Sequence, residues 1–108
     1  MDKSIIVKIR DALSTLSLHE VILFGSHAKG TSHQDSDVDL YVVTNDNSIP
    51  KSFAEKNEKY LVVARKLYEL EKLWPIDLIV HTKAMNTKFK EINQSFSEEI
   101  YHTGTRIV

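Results

Sequence analysis

The chain has 108 residues, a formal net charge of −1 and no cysteine; 42% of its residues are hydrophobic and 27% are charged. This composition excludes disordered and fibrous classes, and we take residues 1–108 as a single domain. The near-neutral charge argues against direct nucleic-acid binding through a broad basic face, and no apolar run approaches the roughly 20 residues that span a bilayer. Absence of cysteine suits the cytoplasm, so we expect a soluble cytoplasmic protein.

The first half of the chain predicts one helix followed by two strands. Apolar residues at three- and four-residue intervals indicate an amphipathic helix over residues 3–16. The apolar run at 20–24 is typical of a strand buried on both faces, and Gly25 closes it, with room for a short helix afterwards. A second strand is expected over 38–43, before a turn-forming cluster at 45–48.

A long helix is predicted in the middle of the chain. Pro50 can start a helix, and the apolar positions that follow fall on one face up to the stop at Pro75. We therefore expect a helix over residues 53–74 that packs across the sheet, with its stripe forming core or partner surface. The stripe consists of Tyr60, Val63, Leu67, Leu70 and Trp74.

The last third of the chain predicts a strand, a helix and a short tail. Residues 76–80 indicate a third strand, apolar except for Asp77. A final helix is outlined by Phe89, Ile92, Phe96 and Ile100. It should end near Gly104, after which residues 105–108 form a short edge strand or fray. The order of elements predicts a small mixed α/β domain, with a small sheet packed by helices.

The stretch GSHAKGTSHQDSDVD joins the first two strands. Its three aspartates occupy alternate positions: Asp35, Asp37 and Asp39. An EF-hand loop would need glycine where Leu40 stands, and a P-loop would need lysine where Thr31 stands, so both motifs are excluded.

Two of these aspartates indicate a metal site beside a phosphate site. Asp37 and Asp39 would project from the same face of the strand and repel each other unless a cation lies between them. Their oxygen ligands suit Mg²⁺ or Mn²⁺, whereas Asp35 is expected only to cap or solvate the turn. Gly25 and Ser26 stand where a strand ends and a helix begins, where backbone N–H groups can converge on a phosphate.

The spacing Gly25-Ser26, ten residues, Asp37-x-Asp39 between two apolar strands resembles the signature of the nucleotidyltransferase superfamily related to DNA polymerase β. The sequence segment LFGSHAKGTSHQDSDVDLYVV and the short length of the chain are similar to those of minimal nucleotidyltransferases. These are commonly encoded beside an all-helical HEPN ribonuclease, as the antitoxin of a toxin–antitoxin pair. The resemblance covers about residues 21–80 and implies a palm-like nucleotidyltransferase fold.

The resemblance also implies a third catalytic carboxylate on a later strand, and Asp77 fits that place. A lone aspartate within an apolar strand is costly unless something pairs with it, which a metal would do. On this interpretation Asp37 and Asp39 bind two Mg²⁺ or Mn²⁺ ions. Asp77 completes the site of the catalytic ion and helps to deprotonate an acceptor hydroxyl.

The same resemblance assigns the triphosphate to the other half of the motif. Ser26, the Gly25 backbone and Lys29 would bind the nucleotide and hold the leaving pyrophosphate. The position after the serine, often arginine in the family, is His27 here. This departure leaves a weaker positive charge near the phosphates.

The activity implied is transfer of AMP from ATP to a tyrosine hydroxyl of a partner HEPN ribonuclease, with release of pyrophosphate and neutralisation of the toxin. The partner would be a separate protein in a hetero-oligomer, because little of the chain remains to bind an acceptor. Two alternatives stay open. The chain could inhibit its partner by binding alone, or it could be a free-standing transferase that modifies a small molecule or an RNA end.

Overall fold

The computed structural model describes residues 3–30 and 37–108, which form a four-stranded mixed sheet packed by helices. The elements are α1 Lys3–Ala12, β1 Leu18–Phe24, α2 Ser26–Lys29, β2 Val38–Thr44, α3 Phe53–Lys66, α4 Tyr68–Glu71, β3 Ile76–His81, α5 Lys83–Ile92, α6 Gln94–Thr103 and β4 Thr105–Arg106. The strand order is β3-β2-β1-β4. Strand β1 pairs antiparallel with β2 and β4, and β2 pairs parallel with β3. This arrangement confirms the predicted mixed α/β fold.

The two central strands, β1 and β2, are buried on both faces of the sheet. Helices α1 and α3 cover one face, where Ile9 and Val63 are almost fully buried. Helices α5 and α6 cover the other face, where Ile100 packs with Ile22 and Tyr41. Successive side chains of a strand point to opposite faces, so each central strand supplies apolar residues to both cores. This explains the continuous apolar runs seen in the sequence.

The predicted first helix is shorter than its apolar spacing indicates. Helix α1 ends at Ala12, and the next residues form tight turns in which the Leu16 N–H donates to the Leu13 carbonyl at 3.0 Å. Leu13 is nevertheless buried and Leu16 packs against the core. Apolar spacing therefore continued beyond the helix, because turns can also direct side chains inward. No helix in the described residues is long and apolar enough to cross a membrane.

The predicted helix over 53–74 is two helices. Ser52, rather than Pro50, caps the start of α3, its hydroxyl accepting from the Glu55 N–H at 3.2 Å. The chain then leaves helical geometry at Leu67, where φ is −95° and ψ is 0°. Leu67 is fully buried, so its core contact is kept while the backbone turns into the one-turn helix α4.

The predicted last helix is also two helices, α5 and α6, which meet at Asn93. Its start lies at Thr82, whose hydroxyl accepts from the Met85 N–H at 3.2 Å. Ile92 was expected on the packed face but is 82% exposed, because the chain changes direction immediately after it. The predicted end at Gly104 and the edge strand β4 are both confirmed.

Candidate active site

The predicted acidic residues meet at one end of the sheet, where β1 ends and β2 and β3 begin. Asp39 is opposite Phe24 of β1 and opposite Asp77 of β3. Residues two apart on a strand share a face, so Asp39 lies on the same face as Tyr41, which α5 and α6 cover. Asp37 immediately precedes β2. The structure thus brings Asp39 and Asp77 side by side across two parallel strands.

Gly25 makes room for the Asp39 carboxylate. Its backbone has φ +75° and ψ −153°, a conformation essentially restricted to glycine. A Cβ at this position would overlap Asp39 Oδ2 and lie 3.1 Å from Asp39 Cγ. The carboxylate therefore packs directly against the bare backbone at the turn from β1 into α2. This gives a steric reason for glycine here, in addition to the predicted phosphate contact.

The surroundings of Asp39 disfavour its negative charge. Burial raises the pKa of Asp39 above its usual 3.8, the carboxylates of Asp77 and Asp37 raise it further, and His27 acts in the opposite direction. Carboxylates that repel one another at a sheet edge are stabilised by a cation. The electrostatic field at this site therefore favours positive charge beside Asp39.

Helix α2 is a single turn that holds the Gly-Ser corner against the sheet. Ser26 is its first residue and is half-buried, and Gly30 ends it in the left-handed conformation, with its N–H donating to the Ser26 carbonyl. His27 is buried, with 6% of its surface exposed. Its position allows it to stabilise the ionised form of Asp39.

Lys29 is the predicted pyrophosphate contact and lies at the end of α2. Its ammonium group donates to Glu99 Oε1 of α6 at 3.1 Å, and both side chains are substantially exposed. An exposed pair of this kind contributes at most about 1 kcal/mol, so the lysine can exchange this partner for a phosphate at low cost. Its role in binding nucleotide stays a prediction.

Asp77 is exposed, so the expectation of a buried charge within an apolar strand is wrong. The reason is topological: β3 is an edge strand, and Asp77 lies near its start. Asp37 is exposed as well, and Asp35 lies outside the described residues.

Asp37, Asp39 and Asp77 are the candidate ligands for a divalent cation at this end of the sheet. Among residues 3–30 and 37–108, no three acidic or histidine side chains already converge closely enough to hold a metal ion. The available donors are nonetheless hard carboxylate oxygens, which suit Mg²⁺ or Mn²⁺. Two of the three carboxylates, Asp37 and Asp77, are exposed, so they can turn toward an ion at little cost. The residues present are chemically compatible with such an ion.

Asp37, Asp39 and Asp77 form what we call the acidic edge, and a partly buried chain of polar groups behind it was not predicted from the sequence. It consists of His81, Tyr41, Asn86, Tyr101 and Glu20. Asn86 Nδ2 donates to both tyrosine oxygens at 2.8 Å, and the Tyr101 hydroxyl donates to Glu20 Oε1 at 3.0 Å. Burial is the main cause that raises the pKa of Tyr101 to about 12. Because Tyr41 lies two residues from Asp39, this network fixes α5 and α6 over the face that carries the aspartates.

The geometry of the site agrees with the comparison of the sequence with protein families. The family described as nucleotidyltransferase domain matches residues 6–104, which is nearly the whole chain. The chain therefore belongs to the nucleotidyltransferase domain family.

Solved structures share the fold at low sequence identity. A toxin–antitoxin complex crystallised with AMP-PNP is 22% identical, with a TM-score of 0.62 over 95% of this chain and 72% of that one. A mutant of the toxin–antitoxin MntA-HpeT is 20% identical, with a TM-score of 0.57 over 100% of this chain and 73% of that one. A putative nucleotidyltransferase from Sulfolobus solfataricus is 22% identical, with a TM-score of 0.54 over 80% of this chain and 70% of that one. No curated protein matches the sequence significantly.

Proposed function

We propose that this chain is a metal-dependent protein adenylyltransferase that transfers AMP from ATP to a tyrosine hydroxyl of a partner HEPN ribonuclease and so acts as its antitoxin. The observation that carries the proposal is the pairing of Asp39 with Asp77 in register, with the Asp39 carboxylate against the bare backbone of Gly25. The carboxylates of Asp39 and Asp77 would bind a cation, and Gly25 and Ser26 beside them would bind phosphate. A nucleoside triphosphate with its divalent cation would satisfy both.

A divalent cation held by Asp37, Asp39 and Asp77 would neutralise phosphate charge and polarise the α-phosphoryl group. The chain's own groups then have separate tasks. The N–H groups at the start of α2, with the Ser26 hydroxyl and Lys29, bind the β- and γ-phosphates. The acceptor oxygen forms a bond to the α-phosphorus as the bond to the leaving pyrophosphate breaks. The acceptor proton passes to an Asp77 carboxylate oxygen, which is exposed to solvent and can release it.

Support for the antitoxin role comes from the similar structures, two of which are toxin–antitoxin proteins and one of which was crystallised with the ATP analogue AMP-PNP. The MntA-HpeT mutant carries two aspartate-to-glutamate changes two positions apart, the same separation as Asp37 and Asp39. On this basis ATP is the proposed nucleotide, and Mg²⁺ or Mn²⁺, two ions as in the family, the proposed cofactor.

The experiment that tests the proposal incubates the purified chain with the protein encoded beside its gene, Mg²⁺ and ATP labelled at the α-phosphate. The proposal predicts label on the partner protein and loss of that protein's ribonuclease activity. Asp39→Asn and Asp77→Asn should each reduce the transfer rate by roughly a hundredfold or more, because the cation loses a ligand. Asp11→Asn removes an exposed carboxylate at the end of α1 and serves as the matched control.

Label that transfers equally well in all three variants would refute the assignment of the acidic edge. Absence of label with every nucleoside triphosphate, while the ribonuclease is still inhibited by the Asp39→Asn protein, would refute catalysis altogether.

A second candidate is a non-catalytic antitoxin that inhibits its partner by contact. It is favoured by one observation: in the described part of the chain the carboxylates do not already converge into a metal site. It predicts inhibition that needs neither ATP nor a divalent cation, and a partner whose mass is unchanged.

A further inference from the structure

A large apolar groove lies at the opposite end of β3 from Asp77. Its volume is about 540 Å³, and the loop before α3, the first turn of α3, the end of β3 and one face of α5 from Met85 to Ile92 line it. Phe53 is 81% exposed and Ile92 is 82% exposed on its walls, and Ile49 is exposed beside them. Monomeric proteins seldom leave large apolar side chains clustered in this way unless the surface binds something.

The groove continues along one face of α3. Phe53, Lys56 and Tyr60 recur at three- and four-residue intervals and line one smaller hollow. Lys56 and Tyr60 also line a second hollow, which reaches the edge strand β3. The acidic side chains of α3, Glu55 and Glu58, do not line the groove but an adjacent hollow, which shares Ile49 and Lys51 with it. Helix α3 therefore presents an apolar and basic face to the groove.

The charge of the groove differs from that of the whole chain. Three lysines line it, Lys51, Lys56 and Lys88, together with His81 and no acidic residue. The chain as a whole has a formal net charge of −1. A groove that is apolar at its base and basic at its rim complements a segment with apolar side chains flanked by carboxylates.

The groove is separate from the candidate active site. Asp77 and His81 are four residues apart on β3, which corresponds to roughly 13 Å along the strand. Of the groove's lining residues none belongs to the acidic edge or the Gly-Ser corner. A molecule bound in the groove would therefore leave the aspartates accessible.

We infer that this groove docks an acidic, amphipathic segment of the partner protein, at a distance from the point of nucleotide transfer. The inference rests on the proposed function for the identity of the partner as the ribonuclease encoded beside this chain. The apolar side chains of the segment pack against Phe53 and Ile92, and its carboxylates pair with Lys56 and Lys88. Docking raises the local concentration of the acceptor near the acidic edge, while the chemical step takes place at the aspartates and the Gly-Ser corner.

The test measures affinity for the purified partner by isothermal titration calorimetry without nucleotide. In the Phe53→Ser/Ile92→Ser double variant the Kd should rise roughly thirtyfold or more, because two exposed anchors are lost. Lys56→Glu and Lys88→Glu should each raise it about tenfold and reduce its dependence on salt. The matched controls are Leu73→Ser, at an apolar residue beyond α4 that is 60% exposed, and Lys66→Glu at the end of α3, for which Kd should stay unchanged.

Kinetics separate docking from chemistry. The groove variants should raise the KM for the partner while kcat at saturating partner is retained, and circular dichroism should show that they are folded. Unchanged affinity in the groove variants would overturn the docking inference even if label transfer occurs. Weakened affinity without any label transfer would uphold docking and refute the proposed catalysis.

Two further outcomes also count against the inference. A wild-type chain that does not bind the partner at all would overturn it. Sedimentation that reveals a dimer of this chain, dissociated by the same Phe53 and Ile92 changes, would assign the groove to a second copy instead.

Discussion

Replacement of Gly25 by alanine should both destabilise the protein and displace the carboxylate on which the proposed chemistry depends. The new Cβ would overlap Asp39 Oδ2, and the backbone at this position has φ +75° and ψ −153°. Gly30 provides a control, since its φ is also positive, at +73°, but a Cβ there would meet no atom of the described residues within 4 Å. Both substitutions place alanine at a positive φ, but ψ is −153° at Gly25 and 15° at Gly30, and only Gly25→Ala adds a steric clash.

The expected cost of Gly25→Ala follows from these terms. A non-glycine residue in this sparsely populated backbone region costs roughly 1–3 kcal/mol. Forcing the Asp39 side chain from its rotamer adds about 1 kcal/mol. Lower entropy of the unfolded chain offsets about 0.4–1 kcal/mol of this. The sum is about 1–3.6 kcal/mol, a fall in Tm of roughly 5–15 °C for a domain of this size. Gly30→Ala should cost roughly 1 kcal/mol, the penalty for a left-handed residue.

Urea denaturation of both variants measures these differences, and a double-mutant cycle isolates the clash. In an Asp39→Ala background the carboxylate is gone, so the penalty of Gly25→Ala should fall by about 1 kcal/mol. Nucleotide transfer should be lost in Gly25→Ala and retained in Gly30→Ala. Equal destabilisation by the two substitutions, together with an additive cycle, would refute the steric account of Gly25.

Three further predictions concern ionisation and buried hydrogen bonds. Asp39→Asn should raise Tm at pH 7 without divalent cations. Because the pKa of Asp39 is raised, the folded state binds this proton more tightly than the unfolded state does, and the wild-type protein loses stability as the pH rises from 3.8 through the raised pKa. The stability advantage of the variant should therefore disappear below pH 3.8. A variant that is less stable than the wild type at pH 7 would contradict this. Tyr41→Phe should cost roughly 1–3 kcal/mol in denaturant unfolding, because Asn86 and His81 lose a buried partner, and unchanged stability would show that water replaces it. Tyr101 should ionise only near pH 12 in a spectrophotometric titration, because burial raises the pKa of its hydroxyl. Its contribution to stability should be lost as the pH rises from 10 to 12. Ionisation near pH 10 would mean that the hydroxyl is open to solvent in the folded protein.

Much of the sheet could be predicted because a strand that is buried on both faces has a continuous run of apolar residues in the sequence. The runs that form β1, β2 and β3 are apolar and bounded by glycine, aspartate or proline, so their positions were found to within two residues. Motif spacing located Gly25 and Asp39, the family resemblance indicated Asp77, and the strand register explains why residues so distant in sequence meet.

The features that were missed depend on contacts that local patterns do not encode. The helix breaks at Leu67 and Asn93 contain neither glycine nor proline, and apolar spacing continues across both. The exposure of Asp77 follows from the edge position of β3, which the order of elements along the chain did not fix. The Lys29–Glu99 ion pair joins residues 70 apart, and the Tyr101–Glu20 hydrogen bond joins residues 81 apart. Only the assembled fold brings such pairs together.

Intact-mass spectrometry of the partner protein tests the central claim most directly. The partner is incubated with ATP, Mg²⁺ and either the wild-type chain or its Asp39→Asn variant, and its mass is measured before and after. The account predicts an increase by one or more AMP units on a tyrosine with the wild-type chain and no change with the variant. An unchanged mass alongside full inhibition, or an increase by phosphate alone, would contradict it.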